Sequence, residues 1–154
     1  MKVRAYRIFK PKHQASAFTG DGARLFGGRW NSKGTAVVYT ASSCALAALE
    51  MLVHLQSQQL LEAYLVSEVT FDSELVRPID RAVLPASWRE DPVPAELKAL
   101  GDQWAAAASS AVLQVPSAII ETESNYLLNP AHADFRKILR GAGRKFVFDP
   151  RLAR

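Results

Sequence analysis

Three stretches carry side chains whose types and spacing could do chemistry. The first is FGGRWNSKG, Phe26 to Gly34. Gly27 and Gly28 can take positive φ and let a ligand approach the main chain. Arg29 offers a planar fork of donors suited to phosphate or carboxylate, and Asn31, Ser32 and backbone N–H groups could add donors. The same residues also describe a surface hairpin with Trp30 tucked onto the core. The second is Glu50, within CALAALEMLVH. If Leu46, Leu49, Leu52 and Val53 face inward on a helix, Glu50 falls at the edge of the apolar stripe near Ala47 and His54. A carboxylate there could be held partly desolvated over a pocket, although a lone helix glutamate is more often solvated. The third is VPSAIIETESNYLLNP, Val115 to Pro130, where Ser117 follows Pro116 and its hydroxyl could project into a cleft. Glu121 and Glu123 alternate out of that segment, and Asn125 and Tyr126 are read as a following turn. Ser117 has no GxSxG elbow around it, which argues against a serine hydrolase. Glu50 and His54 stand four apart, but with only His13 and His132 as further imidazoles, Cys44 alone and no HExxH, no metal site is expected.

These groups need elements to hold them. Val3 to Phe9 reads as a strand and Lys10 to Gly28 as loop. Ala36 to Thr40 is a short β-branched strand, followed by N-cap oxygens at Thr40, Ser42 and Ser43 and a helix from Cys44 to about Gln59. Tyr64 to Phe71 alternates as a strand, and Leu75 to Ile79 continues the sheet at an edge because of Pro78. Pro85 to Pro94, PASWREDPVP, is a loop. Ala95 to Ala111 is a helix, Ser117 to Thr122 a strand, Asn129 to Phe135 a turn into a short helix, and Lys145 to Asp149 a last strand. Strands and helices without a βαβ rhythm predict an α+β fold, a compact mixed sheet with flanking helices. If the first helix follows directly from the strand bearing Tyr39, then Arg29, Tyr39 and Glu50 could converge.

The bulk numbers are those of an ordinary globule: 154 residues, 49% hydrophobic and 22% charged, read as one domain spanning 1–154. The single cysteine excludes an intramolecular disulfide and fits a reducing compartment. No apolar run approaches the roughly 20 residues that span a bilayer, and the N-terminus lacks a secretory h-region, so a cytoplasmic protein with no membrane partner is expected. The net charge of +4 is uneven. Residues 1–31 hold seven basic groups against Asp21, and residues 136–154 hold seven against Asp149. From totals of 19 and 15, the middle keeps five basic and thirteen acidic groups, a net of −8. Two basic ends fit an anionic ligand, an acidic partner protein or a solvated surface.

With these segments assembled, the chain resembles the RES-domain proteins, toxins of the RES–Xre type of bacterial toxin–antitoxin pair. GGRWNSKG supplies Arg29, VVYTASSCALAALEMLVH supplies Tyr39 and Glu50, and VPSAIIETESNYLLNPAHADF supplies Ser117 and Asn125. The opening AYRIFK also resembles the family's start, and the likeness runs from about Tyr6 to Phe148. It implies a fold similar to the ADP-ribosyltransferase toxins with a cleft for NAD+ as substrate, and inhibition by an Xre-type antitoxin that folds beside the toxin. The implied activity is loss of NAD+ through cleavage of the nicotinamide–ribose bond, by hydrolysis or phosphorolysis, or transfer of ADP-ribose to a protein acceptor.

The implied roles are specific. Glu50 stabilises the positive charge that develops on the ribose and Arg29 fixes the diphosphate. Tyr39 stacks on nicotinamide, Ser117 hydrogen-bonds nicotinamide or ribose, and Asn125 binds the ligand or shapes its loop. Two other classes compete. A nucleic-acid-binding module would use the basic ends, but the acidic middle and the lack of a basic, aromatic-interleaved stripe oppose it. A pure interaction protein would bury its apolar helix faces against a partner and turn over nothing.

Overall fold

The computed structural model describes residues 1–153, so Arg154, counted above in the basic C-terminal segment, lies outside the described residues. An eight-stranded sheet organises the chain. β1 (Lys2–Phe9) runs antiparallel to β3 (Tyr64–Asp72) over its whole length, from Lys2 opposite Asp72 to Phe9 opposite Leu65. On its other side Tyr6 of β1 pairs with Ala41 of β2 (Val38–Ala41). The sheet then continues through β6 (Ser124–Leu128), β5 (Val112–Pro116) and the edge strand β4 (Val76–Pro78), the last joined to β5 in parallel. At the opposite edge, β7 (Leu139–Arg140) and β8 (Arg144–Phe146) both pair with β3. The architecture is mixed α+β, as the irregular alternation of elements predicts. No helix among the described residues is long and apolar enough to cross a membrane.

Alternation along the strands splits the core between two faces. Ala5, Val38, Val69, Phe71, Val112 and Leu128 pack together on one face. The other face carries two separate clusters. One lies under α2 (Cys44–Leu52) and gathers Ile8, Ala41, Leu46, Tyr64 and Phe148. The second lies under α3 (Ala95–Ala107) and gathers Trp30, Leu97, Trp104, Leu113 and Leu127. Tyr39 and Asn125 sit on this face where the two clusters meet.

Several boundaries differ from the sequence expectation, each for a local reason. The segment 10–28 contains a 3-10 turn (Pro11–Ser16) and a short helix, α1 (Asp21–Phe26), framed by Gly20 and Gly27 at φ 77° and 75°. α2 starts where the Ser43 hydroxyl accepts the Leu46 N–H at 3.0 Å, but it stops at Leu52. A new turn begins instead at Gln56, whose N–H donates to the Gln59 side chain at 2.8 Å. Leu49, on the outer side of α2, and Val53, just past its end, are exposed although expected inside. α3 ends at Ala107 because Ala108 turns left-handed at φ 50°.

Ser117 to Thr122 is not a strand. The Ser117 oxygen accepts the N–H groups of Ile119 and Ile120, both at 3.1 Å, and this local alternative displaces ladder pairing. The strand comes later, as β6, so Asn125 and Tyr126 lie in the sheet rather than in a turn.

Candidate functional site

The stretch FGGRWNSKG folds as a tight turn closed by the bridge between Gly28 and Asn31. Trp30, 2% exposed, plugs the cluster under α3. The helix comes so near that a Cβ on Gly101 would lie 1.6 Å from the Trp30 carbonyl oxygen. Asn31, fully buried, donates to the carbonyls of Ala23, Ser32 and Thr35 at 2.8, 3.1 and 3.1 Å. The Ser32 N–H donates to Asp102 of α3 at 2.9 Å. Asn31 and Ser32 thus build the turn, and the expectation that they offer donors to a ligand is corrected.

Tyr39 locks the turn to the sheet. Its hydroxyl donates to Asn31 Oδ1 at 2.6 Å and accepts the Trp30 N–H at 3.0 Å. Gly28 must lack a side chain here, since a Cβ would sit 2.6 Å from the Tyr39 oxygen. Burial pushes the phenol's pKa well above its ordinary value, opposed more weakly by the Trp30 N–H, so Tyr39 stays protonated at any physiological pH. Arg29 is close enough for its charge to act on the same phenol. One of its nitrogens, Nη1, donates to the carbonyls of Trp88 and Glu90, both at 3.0 Å. Nε and Nη2 make no hydrogen bond among the described residues. Behind β2, on the opposite face, Arg7 donates to the Tyr39 carbonyl at 3.0 Å and the Ala17 carbonyl at 2.7 Å. Burial lowers its pKa to about 10, which leaves it a cation.

The other half of the site joins α2 to β6. Asn125 Nδ2 donates to Glu50 Oε2. Asn125 stands opposite Ala41 on β2, and Tyr39 stands opposite Leu127. Tyr39 and Asn125 are therefore diagonal neighbours on one face, a spacing of about 7–8 Å. Asn125 is 8% exposed and its Oδ1 is buried without a partner. Because a carboxylate only accepts, the amide nitrogen must face Glu50, and the orphaned oxygen is left to accept a donor from elsewhere.

Ser117 is at the same end of the sheet, two residues past Val115, the partner of Asn125. It is 0% exposed and its oxygen points into its own turn. The hydroxyl does not project into a cleft as expected. The structure thus brings Arg29, Tyr39, Glu50 and Asn125 to one seam and sets Ser117 in the wall beside it. A recess of about 390 Å³ lined by Phe9, Gln14, Phe18, Thr19, Arg140 and Gly143 is elsewhere and includes none of these residues.

Comparisons with known proteins give the chain's family. The family model of the RES domain matches residues 4–149. The chain belongs to the RES-domain family. Among RES-domain relatives, "Toxin Res" of Yersinia enterocolitica is 41% identical over 148 residues, covering 96% of this chain and 97% of that protein. The "Prs ADP-ribosylating toxin" of a Sphingobium species is 43% identical over 148 residues, covering 92% and 90%. The crystal structure of the Mycobacterium tuberculosis MbcT–MbcA toxin–antitoxin complex holds a chain that superposes with a TM-score of 0.78, covering 99% of this chain and 87% of that one. At 18% identity the last match speaks to the shared RES fold alone.

Four supporting residues escaped the sequence reading: Arg7, Trp88, Arg89 and Asp102. Their signals are weak in isolation. A Trp–Arg pair inside a proline loop and an aspartate on a helix that also carries Glu96, Lys98 and Gln103 are common, and only the fold gives them their partners.

Proposed function

We propose that this RES-domain protein is the toxin of a toxin–antitoxin pair. In this reading it consumes NAD+ by cleaving the nicotinamide–ribose bond, by hydrolysis or phosphorolysis, and an Xre-type antitoxin neutralises it. The observation that carries the reading is the Glu50–Asn125 pair with its orphaned acceptor, beside Tyr39 and the free edge of Arg29. Cleavage of this bond passes through an oxocarbenium-like state, as glycoside cleavage does. Nicotinamide leaves as a neutral molecule, so no general acid is required. The Glu50 carboxylate, held by Asn125, lies where it can stabilise the developing positive charge, a contribution of about 3–4 kcal/mol for a preorganised group. Asn125 Oδ1 accepts a hydroxyl or amide proton of the substrate. Arg29 Nε and Nη2 bind the diphosphate, and the ring of Tyr39 meets nicotinamide. Ser117 acts by holding the turn that precedes Asn125.

The names of the Yersinia and Sphingobium relatives support the toxin assignment, and the solved toxin–antitoxin complex supports a protein partner. A second reading, transfer of ADP-ribose to a protein, is favoured by the Sphingobium relative's name. It uses the same residues and differs only in the acceptor. The test incubates purified protein with NAD+ labelled separately in nicotinamide and adenylate. Released nicotinamide with free ADP-ribose or its 1-phosphate supports cleavage, whereas label on protein supports transfer. No nicotinamide release with any acceptor would overturn both.

A further inference from the structure

We infer that Arg89 is a positioning residue of this site: its guanidinium clamps the turn between β5 and β6 to the proline loop 85–94, and so holds Asn125 against Glu50. The inference rests on the reading of Glu50 and Asn125 as the reacting centre.

The turn 117–123 leaves carbonyls without partners of its own. Its internal bonds are those of the Ser117 oxygen, the Ser117 N–H to the Glu123 carbonyl at 2.9 Å, and the Glu123 N–H to the Ile120 carbonyl at 2.9 Å. Arg89 takes the carbonyls that remain on the near side, donating from Nε to Ala118 at 2.9 Å and from Nη2 to Ile119 at 3.3 Å. Its Nη1 also faces Glu121 at 3.4 Å, and Arg81 holds the Glu121 carbonyl at 2.9 Å. The carboxylate pair is exposed and contributes little. The two carbonyl bonds fix the geometry, because a planar fork binds in one orientation.

A clamp acts only if its other end is anchored. Trp88, immediately before Arg89, packs against the cluster under α3. The carbonyls on either side of Arg89, those of Trp88 and Glu90, are both held by Arg29. One guanidinium of the site therefore pins the loop, and the loop's own guanidinium pins the turn. Beyond the turn the chain enters β6 at Ser124, whose hydroxyl accepts from Gln114, and Asn125 comes next. Ile120 of the turn packs against the cluster under α2, the helix that carries Glu50. Displacement of the turn thus moves both partners of the Glu50–Asn125 bond.

The test compares Arg89→Ala and Arg89→Lys with the parent protein. The Arg89 side chain is 44% exposed, so truncation opens no core cavity and both variants keep a cooperative thermal transition. In Arg89→Ala the side-chain amide resonance of Asn125 broadens or moves toward that of a solvated asparagine, and the Ile119 and Ile120 amides exchange faster. The kcat for nicotinamide release falls about 10- to 100-fold, the loss that misplacement by an ångström produces, while KM moves by less than about threefold. Arg89→Lys keeps the charge without the fork and recovers only part of both signals. An unmoved Asn125 amide, or an unchanged kcat, overturns the inference. If the parent protein releases no nicotinamide at all, the catalytic reading fails instead, and the Asn125 amide alone decides whether Arg89 positions it.

Discussion

The side-chain amide of Asn125 donates to the carboxylate of Glu50, and this single bond joins the start of β6 to the last turn of α2. Neither residue is held to the other by sequence proximity, since 75 positions separate them. The bond also assigns the amide's orientation and leaves Asn125 Oδ1 buried without a partner.

Replacing Glu50 by Ala should leave the fold intact and lower nicotinamide release at least about 100-fold, the loss seen when one preorganised charge-stabilising group is removed. Asn125→Asp should be similarly damaging, because it sets a second carboxylate against Glu50 and drives one of the two to hold a proton. Both are read by chromatography of products from purified protein. Turnover at the parent rate in Glu50→Ala would remove that residue from the reacting centre.

Tyr39→Phe tests the anchoring of the arginine turn. It removes the partner of Asn31 Oδ1 and of the Trp30 N–H together, in a site largely closed to water. Urea unfolding should show a loss of about 2–3 kcal/mol with the slope unchanged.

The glycines offer a paired prediction. At Gly101 a Cβ would lie 1.6 Å from the Trp30 carbonyl oxygen, so Gly101→Ala must push α3 off the turn and should cost at least about 3 kcal/mol. At Gly22, in α1, nothing lies within 4 Å of the same atom, and Gly22→Ala should stabilise by about 0.5–1 kcal/mol. Thermal melts of the two variants check the contrast, and equal melting points would contradict it.

Asp102 gives a pH dependence. Burial raises its pKa, but the Ser32 hydroxyl and N–H, the Thr35 hydroxyl and the Lys98 charge together outweigh burial and hold it below the ordinary carboxylate range. A depressed folded pKa contributes stability above the unfolded value, about 3.9, and loses it as pH falls through the folded one. The stability difference between the parent and Asp102→Asn should therefore shrink from pH 5 toward pH 2, as followed by urea midpoints.

Much of the framework was legible because it rests on local chemistry. Alternation in 64–71, the β-branched run before Tyr39, and the Ser43 cap each act within a few residues, and each element begins within two residues of the expected place. The failures share a different origin. Ser117 to Thr122 has strand composition, yet one hydroxyl bonded to two N–H groups redirected the chain. Helical spacing predicts Leu49 and Val53 inside, yet both are exposed, and α2 ends at Leu52, about two turns short of Gln59, ahead of the turn in which Gln56 and Gln59 cap each other. At the site, residue types pointed to Arg29, Tyr39, Glu50 and Asn125, and their proximity follows from strand register. Arg89 and Asp102 act through partners between 29 and 70 positions away, a separation that no local pattern encodes.

Because the Arg7 guanidinium is buried behind β2, counterions cannot crowd around it as they do around Lys2, Arg4 and Lys10 at the surface. Those three form exposed pairs with Asp72, Glu68 and Glu62, and added salt weakens such pairs, with a Debye length of about 8 Å at physiological ionic strength. Arg7 has no carboxylate against it among the described residues, and it donates instead to the Tyr39 carbonyl at 3.0 Å and the Ala17 carbonyl at 2.7 Å. Brine therefore loosens the three surface pairs and leaves the hold of Arg7 on the two carbonyls nearly untouched.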